Sequence, residues 1–310
     1  MGRPENAGQG KVAMSKFTSM RVTARLLCAG AALWPALAAD AASPAGAIPD
    51  FSSNGVSWAG FVAPKIPSAA VARTFNDYSA PESGLGPVTD DPAHPYINNE
   101  NARETGRQPT YRVANLDNPN LKPWVVEALR KQNALALAGK RGETREARCW
   151  ETGVPAFHLN PGAMYFVQTP KEVLLFLAGR MRHIYLDVPH TKNPKPSWYG
   201  ESVGHYEGGD TLVVDTIGFN ENTFVDSYRT PHTAQLHVIE RFKLGNGGRT
   251  LDLSFTVEDP GAFNAPWSGT RPRQRVQRGP LTGDDTCAED HENYFNLDIE
   301  PVPTAEKPDF

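Results

Sequence analysis

From residue 164 onward the chain is cut into short apolar segments separated by glycine, proline and aspartate turns, and this spacing limits the fold more than any other feature. Met164–Gln168, Glu172–Leu177, Arg182–Asp187, Thr211–Thr216, Leu236–Leu244 and Thr250–Glu258 are rich in β-branched and aromatic residues, as strands are. Glu207-Gly208-Gly209-Asp210 divides His205-Tyr206 from the strand that follows, and Gly245-Asn246-Gly247-Gly248 divides the last two segments; both read as hairpins. Arg271–Arg278 and Glu292–Asp298 are weaker strands. The strand–helix–strand alternation of a Rossmann or TIM fold is missing. The pattern predicts a mainly β protein: an antiparallel up-and-down, lipocalin-like barrel or a strongly bent sheet, with an extended N-terminal arm and one helix.

The helix is expected over 122–138. Pro123 suits a first turn, Val125, Leu129, Gln132 and Ala136 recur at helical spacing, and Gly139 suits the position after the end. Residues 39–115 are rich in Ala, Pro, Ser, Gly and Asn and read as an arm wrapping the domain, with Tyr78, Tyr96 and Tyr111 as pins. Before them, the basic stretch from Met20 to Arg25, apolar Leu26–Trp34 and Pro35-Ala36-Leu37-Ala38 read as a secretory signal peptide. The division is thus 1–38 signal peptide, 39–115 extended arm and 116–310 a single β-barrel-like domain, in a periplasmic or secreted protein with no stable membrane insertion after cleavage. Removing residues 1–38 leaves 26 basic and 34 acidic residues, a balance that argues against nucleic-acid binding. Two cysteines then remain, Cys149 and Cys287, and an oxidising compartment favours a disulfide between them.

The sequence has no P-loop, C-x-x-C or H-E-x-x-H. Gly200-Glu201-Ser202-Val203-Gly204 fits G-x-S-x-G, but prolines precede it and a hairpin strand follows, the wrong setting for a nucleophile elbow. Polar residues on the strands are more informative. His183, Tyr185 and Asp187 share one face of their segment. Glu240 shares a face with Leu236, Val238 and Phe242, while His237 and Arg241 lie opposite, and His232 follows Thr230-Pro231. A carboxylate on an apolar face needs a partner or a task. Each residue also has a plainer reading: Glu240 pairs with an arginine, His183 sits at a dimer surface, His232 caps a turn, and Asp187 satisfies turn amides. Six of the eight histidines fall within residues 158–237. No spacing gives an evident metal site, and the inventory suits metal-free acid–base catalysis without a cofactor.

Arg182-His183-Ile184-Tyr185-Leu186-Asp187, the run from Pro196 through Asn220, Thr230-Pro231-His232 and Leu236 to Phe242 together resemble a large family of secreted bacterial proteins. Its pattern reads R-x-I-Y-L-D-G-R-x-H-P, then W-x-G-x-S-x-G-x-W-E-G-D-T-L-V-V-D-T, then P-H-S-x-x-L-H-x-x-E-R, and the likeness covers roughly residues 145–295. Val188-Pro189 replaces Gly-Arg, Tyr206 replaces Trp, Gly209 is extra, and the basic stretch 271–278 departs from the family's more apolar strand. The resemblance implies chemistry on small aromatic compounds, and extends to a phenylcoumaran-specific formaldehyde lyase acting on lignin-derived dimers. On that reading His237 or His232 is the base. Arg241 or Tyr185 stabilises a phenoxide, and Asp187 or Glu240 orients an imidazole. His183, Trp198, Phe219, Asn220 and Trp267 contact an aromatic substrate. The preferred arrangement turns His237 and Arg241 to a cavity and pairs Glu240 with a neighbouring strand. The rival from another class is a non-catalytic secreted barrel that carries an apolar ligand; a homodimer is compatible with either.

Overall fold

The computed structural model describes residues 48–52, 56–59, 78–81, 83–96, 112–138, 150–159, 162–177 and 179–277. Nine strands close into one barrel in chain order: β1 (Val56–Ala59), β2 (Met164–Gln168), β3 (Glu172–Leu177), β4 (Arg180–Leu186), β5 (Glu201–Glu207), β6 (Thr211–Ile217), β7 (His237–Gly245), β8 (Thr250–Glu258) and β9 (Trp267–Gln277). β1 closes it by pairing with both β2 and β9. The protein is mainly β, as the strand spacing predicts, with one α-helix among the described residues, α1 (Pro123–Leu137). Neighbours run antiparallel except β4 and β5, which are parallel through Tyr185↔Val203 and Leu186↔Gly204. The long connection 187–200 makes this possible. Asp187 leaves β4 in the left-handed region (φ 55°), and the crossover turns the chain back so that β5 runs parallel to β4 beside its last residues. Gly204 lies where the two strands meet: a Cβ there would stand 2.9 Å from both Ile184 Cγ2 and the Val213 carbonyl oxygen.

Several boundaries differ from the sequence reading. Gly200–Gly204 leads into and forms part of β5, so Ser202 is a mid-strand residue rather than an elbow nucleophile. The strand expected from Arg271 begins at Trp267. β1 comes from the segment read as an arm, and joins the barrel. Tyr78 does act as a pin, donating its hydroxyl to the Val225 carbonyl at 3.0 Å. Tyr96 lies under the Arg112 guanidinium, 4.2 Å from ring centroid to Cζ. Residues 1–38, Tyr111, Gly139, Cys149, Cys287 and the segment 292–298 lie outside the described residues.

Side-chain alternation builds the core. Val173, Leu175 and Leu177 of β3, Ile184 and Leu186 of β4, Val238 and Phe242 of β7 and Leu253, Phe255 and Val257 of β8 are all buried. Phe166 meets Phe242 edge-on at 5.6 Å, and Phe255 meets Trp267 at 5.9 Å. Each such ring or branched chain contributes about 1.5–3 kcal/mol by leaving water. α1 starts at Pro123 and buries Val125, Leu129, Asn133 and Ala136. The third anchor is Asn133, not Gln132: its side chain accepts from the Ala114 amide and donates to the Ala114 carbonyl, both at 2.8 Å. The 3₁₀ turn Ala156–Leu159 is buried throughout and carries His158 inward. Among the described residues no helix is long and apolar enough to cross a membrane.

Candidate functional site

Two polar clusters lie on opposite sides of the barrel wall, and strand parity separates them. On β7, Val238, Glu240 and Phe242 are buried while His237 and Arg241 lie on the other face. Glu240 meets Arg182 of β4 across the interior, with Nη1 2.9 Å from Oε1 and Nη2 2.5 Å from Oε2. Arg182 also donates to Ser202 Oγ at 3.0 Å and Thr216 Oγ1 at 2.7 Å. His158 Nε2 stands 2.5 Å from Glu240 Oε1, and both side chains are fully buried. Burial alone would push the Glu240 carboxyl up; the Arg182 charge and the His158 hydrogen bond outweigh it and hold the group at about 2. Burial pushes the His158 imidazole down, against the pull of Glu240. A neutral His158 then donates from Nε2 to the carboxylate, and its Nδ1 has no hydrogen-bond partner among the described residues. This cluster holds β4, β5, β6, β7 and the 3₁₀ turn together.

The outer cluster is of another kind. Asp215 points outward from β6 between buried Val214 and Thr216. His237 opens β7 and faces Glu258 of β8 directly in the strand register, with Nδ1 3.1 Å from Glu258 Oε2. Its Nε2 stands 2.9 Å from Asp215 Oδ1, a diagonal contact across the β6–β7 pair. The crossover brings His190 to the same oxygen, with Nε2 at 3.0 Å, while its Nδ1 stands 3.1 Å from Glu201 Oε1 of β5. Burial pushes the Glu201 carboxyl up, but the Thr191 amide at 2.7 Å and the His190 ring prevail and hold it below its ordinary value. The result is a chain of five groups, Glu201–His190–Asp215–His237–Glu258, that runs over β5 to β8 and is reached by solvent. Ionised carboxylates only accept, so satisfying all four ring contacts takes a proton on every imidazole nitrogen. Removing one proton from either ring leaves a lone pair against a carboxylate oxygen. The geometry suits storage and transfer of protons between two bases that share one acid.

The expected site residues do not converge. Of them, only His237 belongs to the outer array. Arg241 shares its face, but binds Glu207 at 2.6 Å and sits four residues along the strand, about 13 Å away. The expected cavity-facing pair therefore lies on the outer wall, and Glu240 reaches β4 across the barrel rather than an adjoining strand. His232 is buried: Nδ1 donates to the Thr233 carbonyl at 3.0 Å and Nε2 accepts from the Thr223 hydroxyl at 2.7 Å. Asp187 is exposed at the end of β4, where its amide donates to the Gly204 carbonyl at 2.9 Å. Tyr185 is exposed and stacks on His183 at 6.2 Å, and His183 in turn lies 3.2 Å from Glu172. Trp198 pairs with Trp150 at 5.6 Å, whereas Phe219 is buried beside His232 at 6.2 Å. Asn220 accepts from the Asn222 amide at 3.1 Å, and Trp267 is packed among Tyr78, Phe255 and Phe263. The three aromatic residues pack against different rings.

His158, Arg182, His190, Glu201, Ser202, Thr216 and Glu258 are the residues that sequence reasoning did not assign to either cluster. Alternation along β6 does signal Asp215 as a carboxylate among apolar neighbours. His190 sits in a crossover whose path has no periodicity, so nothing local marks it. No family model, curated protein or solved structure matches the chain.

Proposed function

We propose that the protein is an exported, periplasmic acid–base lyase that works at the outer array on a small aromatic molecule. The observation that carries this reading is the meeting of two imidazoles on one carboxylate oxygen, Asp215 Oδ1, at 3.0 and 2.9 Å. The surrounding wall supports the substrate class. Tyr185, Val203, Asp215 and Ile239 form one row across β4, β5, β6 and β7, all on the outer face. Exposed Tyr185 stands two strand spacings from Asp215, about 10 Å, a span suited to a two-ring compound.

With a lignin-type phenylcoumaran the step balances as follows. One neutral imidazole takes the proton of the primary hydroxyl. The bond to that carbon breaks and formaldehyde leaves. Its electron pair forms the stilbene double bond while the aryl ether opens, and the second imidazole, protonated, gives its proton to the departing phenoxide. Asp215 then carries the proton back between the rings. Arg241 is too far from His237 to serve the same reacting atoms, so the phenoxide role passes to the array. Carriage of an apolar ligand along the barrel axis has less support, because Phe166, Phe242, Phe255 and the Arg182–Glu240 pair occupy the described interior.

The test is to incubate purified protein with a phenylcoumaran dimer and follow formaldehyde and the stilbene by chromatography. Conversion that falls by about 10²-fold or more in His237→Ala and in His190→Ala is expected for loss of an acid–base group. Full conversion by Asp215→Asn together with His237→Ala would overturn the assignment.

A further inference from the structure

We propose that the outer face of β2, β3 and β4 is the interface of a homodimer, on which a second copy of this chain packs about a twofold axis. Strand parity singles this face out. Val173, Leu175 and Leu177 of β3 turn into the core while Leu174 and Phe176 turn outward, so β3 is apolar on both sides. A sheet with one face in water alternates apolar and polar residues, and a strand apolar on both faces reads as one packed on both. Elsewhere the outer wall keeps to the alternation. β7 presents His237, Arg241 and Lys243 there with one isoleucine, and β8 presents Asp252, Ser254 and Thr256.

The register lays the face out as a grid. Tyr165, Phe176 and Met181 form one row across the three strands, Val167, Leu174 and His183 the next, and Glu172 and Tyr185 the third. Val167, Met181 and Tyr185 are exposed, and exposed Val188 continues the face past the end of β4. With strands about 4.8 Å apart and alternate residues about 6.7 Å apart, these positions cover roughly 300 Å². That is the size of the apolar centre of an interface, which with its polar rim takes about 800 Å² of each partner. Lys171 and Asp187 are exposed beside the face and supply part of that rim.

The occupant is a second copy because the face complements itself. Its charged groups are one acid and one base, Glu172 and His183, on neighbouring strands. A twofold axis lying in the interface along the Tyr165–Leu174–Tyr185 diagonal exchanges their two positions. Each Glu172 then meets the partner's His183, and each Phe176 meets the partner's Val167. The strands of the two copies cross near a right angle, one of the two ways in which sheets pack face to face. His183 has an atom to spare for this contact. Its Nδ1 stands 3.2 Å from Glu172 of its own chain, and its Nε2 has no hydrogen-bond partner among the described residues. The long side chains Tyr165, Met181 and Tyr185 stand at the corners, where two convex barrel walls part, and the shorter Leu174 stands at the centre. Asp215, His237 and Glu258 lie beyond Tyr185 on β6 to β8, outside this face, so the dimer neither rests on the proposed activity nor covers its array.

The experiment is sedimentation velocity of the purified protein across the micromolar range, where a monomer–dimer equilibrium is expected. Leu174→Glu and Met181→Glu should each weaken association by about tenfold or more, since each places a charge in the apolar centre. Ser254→Glu, on the outer face of β8, should associate as the parent does. Glu172→Arg and His183→Glu each set like charges against each other across the axis and should weaken association by about tenfold or more. An equimolar mixture of those two variants should associate again, because each chain then offers the charge that the other lacks. A contact within one chain gives no such rescue. Circular dichroism on each variant confirms that loss of association is not loss of fold. A parent that stays monomeric overturns the dimer. Association that survives both Leu174→Glu and Met181→Glu overturns the face, and a mixture no better than its separate components overturns the axis. None of these readings uses a substrate, so failure of the proposed reaction leaves them intact.

Discussion

Glu240→Gln separates what holds the barrel together from what acts on its surface. The substitution keeps size and hydrogen-bonding atoms but removes the charge that faces Arg182, whose side chain is 1% exposed. An uncompensated buried guanidinium is expected to cost about 3–5 kcal/mol. An independent route gives a similar size. The carboxyl lies at about 2 in the folded protein against its ordinary value of about 4.5, and a shift of that size corresponds to about 3 kcal/mol. The sign follows from proton binding. A depressed carboxyl gives stability that is present above the unfolded value and lost as pH falls from about 4.5 toward 2. His158 adds to this in a higher window. Its folded form binds protons less readily than the unfolded one, so stability already declines as pH drops below about 6.5. Thermal melts of Glu240→Gln at neutral pH should therefore drop by roughly 6–20 °C for a domain of this size. The variant should also lose much of the parent's extra sensitivity between pH 4.5 and 2. By contrast Asp215→Asn alters ion pairs that water reaches, worth about 0–1 kcal/mol, so its melting point should move by at most about 4 °C. If Glu240→Gln melts within about 2 °C of the parent, the interior pair is not what secures β4 to β7.

Three further outcomes follow from particular contacts. Gly269→Ala puts a Cβ 2.6 Å from Phe255 Cζ and 3.1 Å from Tyr78 Cβ, so chemical denaturation should show a loss of about 1–3 kcal/mol. Asn133→Leu removes both bonds to Ala114 and leaves that buried amide and carbonyl without partners, which should cost about 1–3 kcal/mol and free the 112–115 segment to proteolysis. Purified exported protein should begin near Ala39, and a non-reducing peptide map should link Cys149 to Cys287; two free thiols would exclude that pairing.

The barrel was legible because strand length and turn chemistry are local. Gly208 and Gly209 take φ of 59° and 73° at the β5–β6 turn, and Asn246, Gly247 and Gly248 take positive φ at the β7–β8 turn, where the sequence alone marks hairpins. The parallel β4–β5 pair was not legible, since residues 187–200 carry no periodic pattern to show where the crossover lands. Parity on β7 was readable as well, with His237 and Arg241 on one face and Glu240 on the other. The side that faces the core was also implied by apolar neighbours: Val238 and Phe242 flank Glu240, and the core takes the apolar face whatever charge sits in it. The expected inward turn of His237 and Arg241 gave the charges more weight than the methyl groups. What no local reading supplies is the partner. Glu240 is satisfied by Arg182 and His158, 58 and 82 residues away, and Asp215 by His190 and His237, 25 and 22 residues away. Barrel register brings Arg182 and His237 to these carboxylates, while a 3₁₀ turn and a crossover deliver His158 and His190. The same strand that buries one carboxylate against an arginine therefore presents, one residue out of phase, an imidazole to an exposed acid, and stability and chemistry can be altered independently on β7.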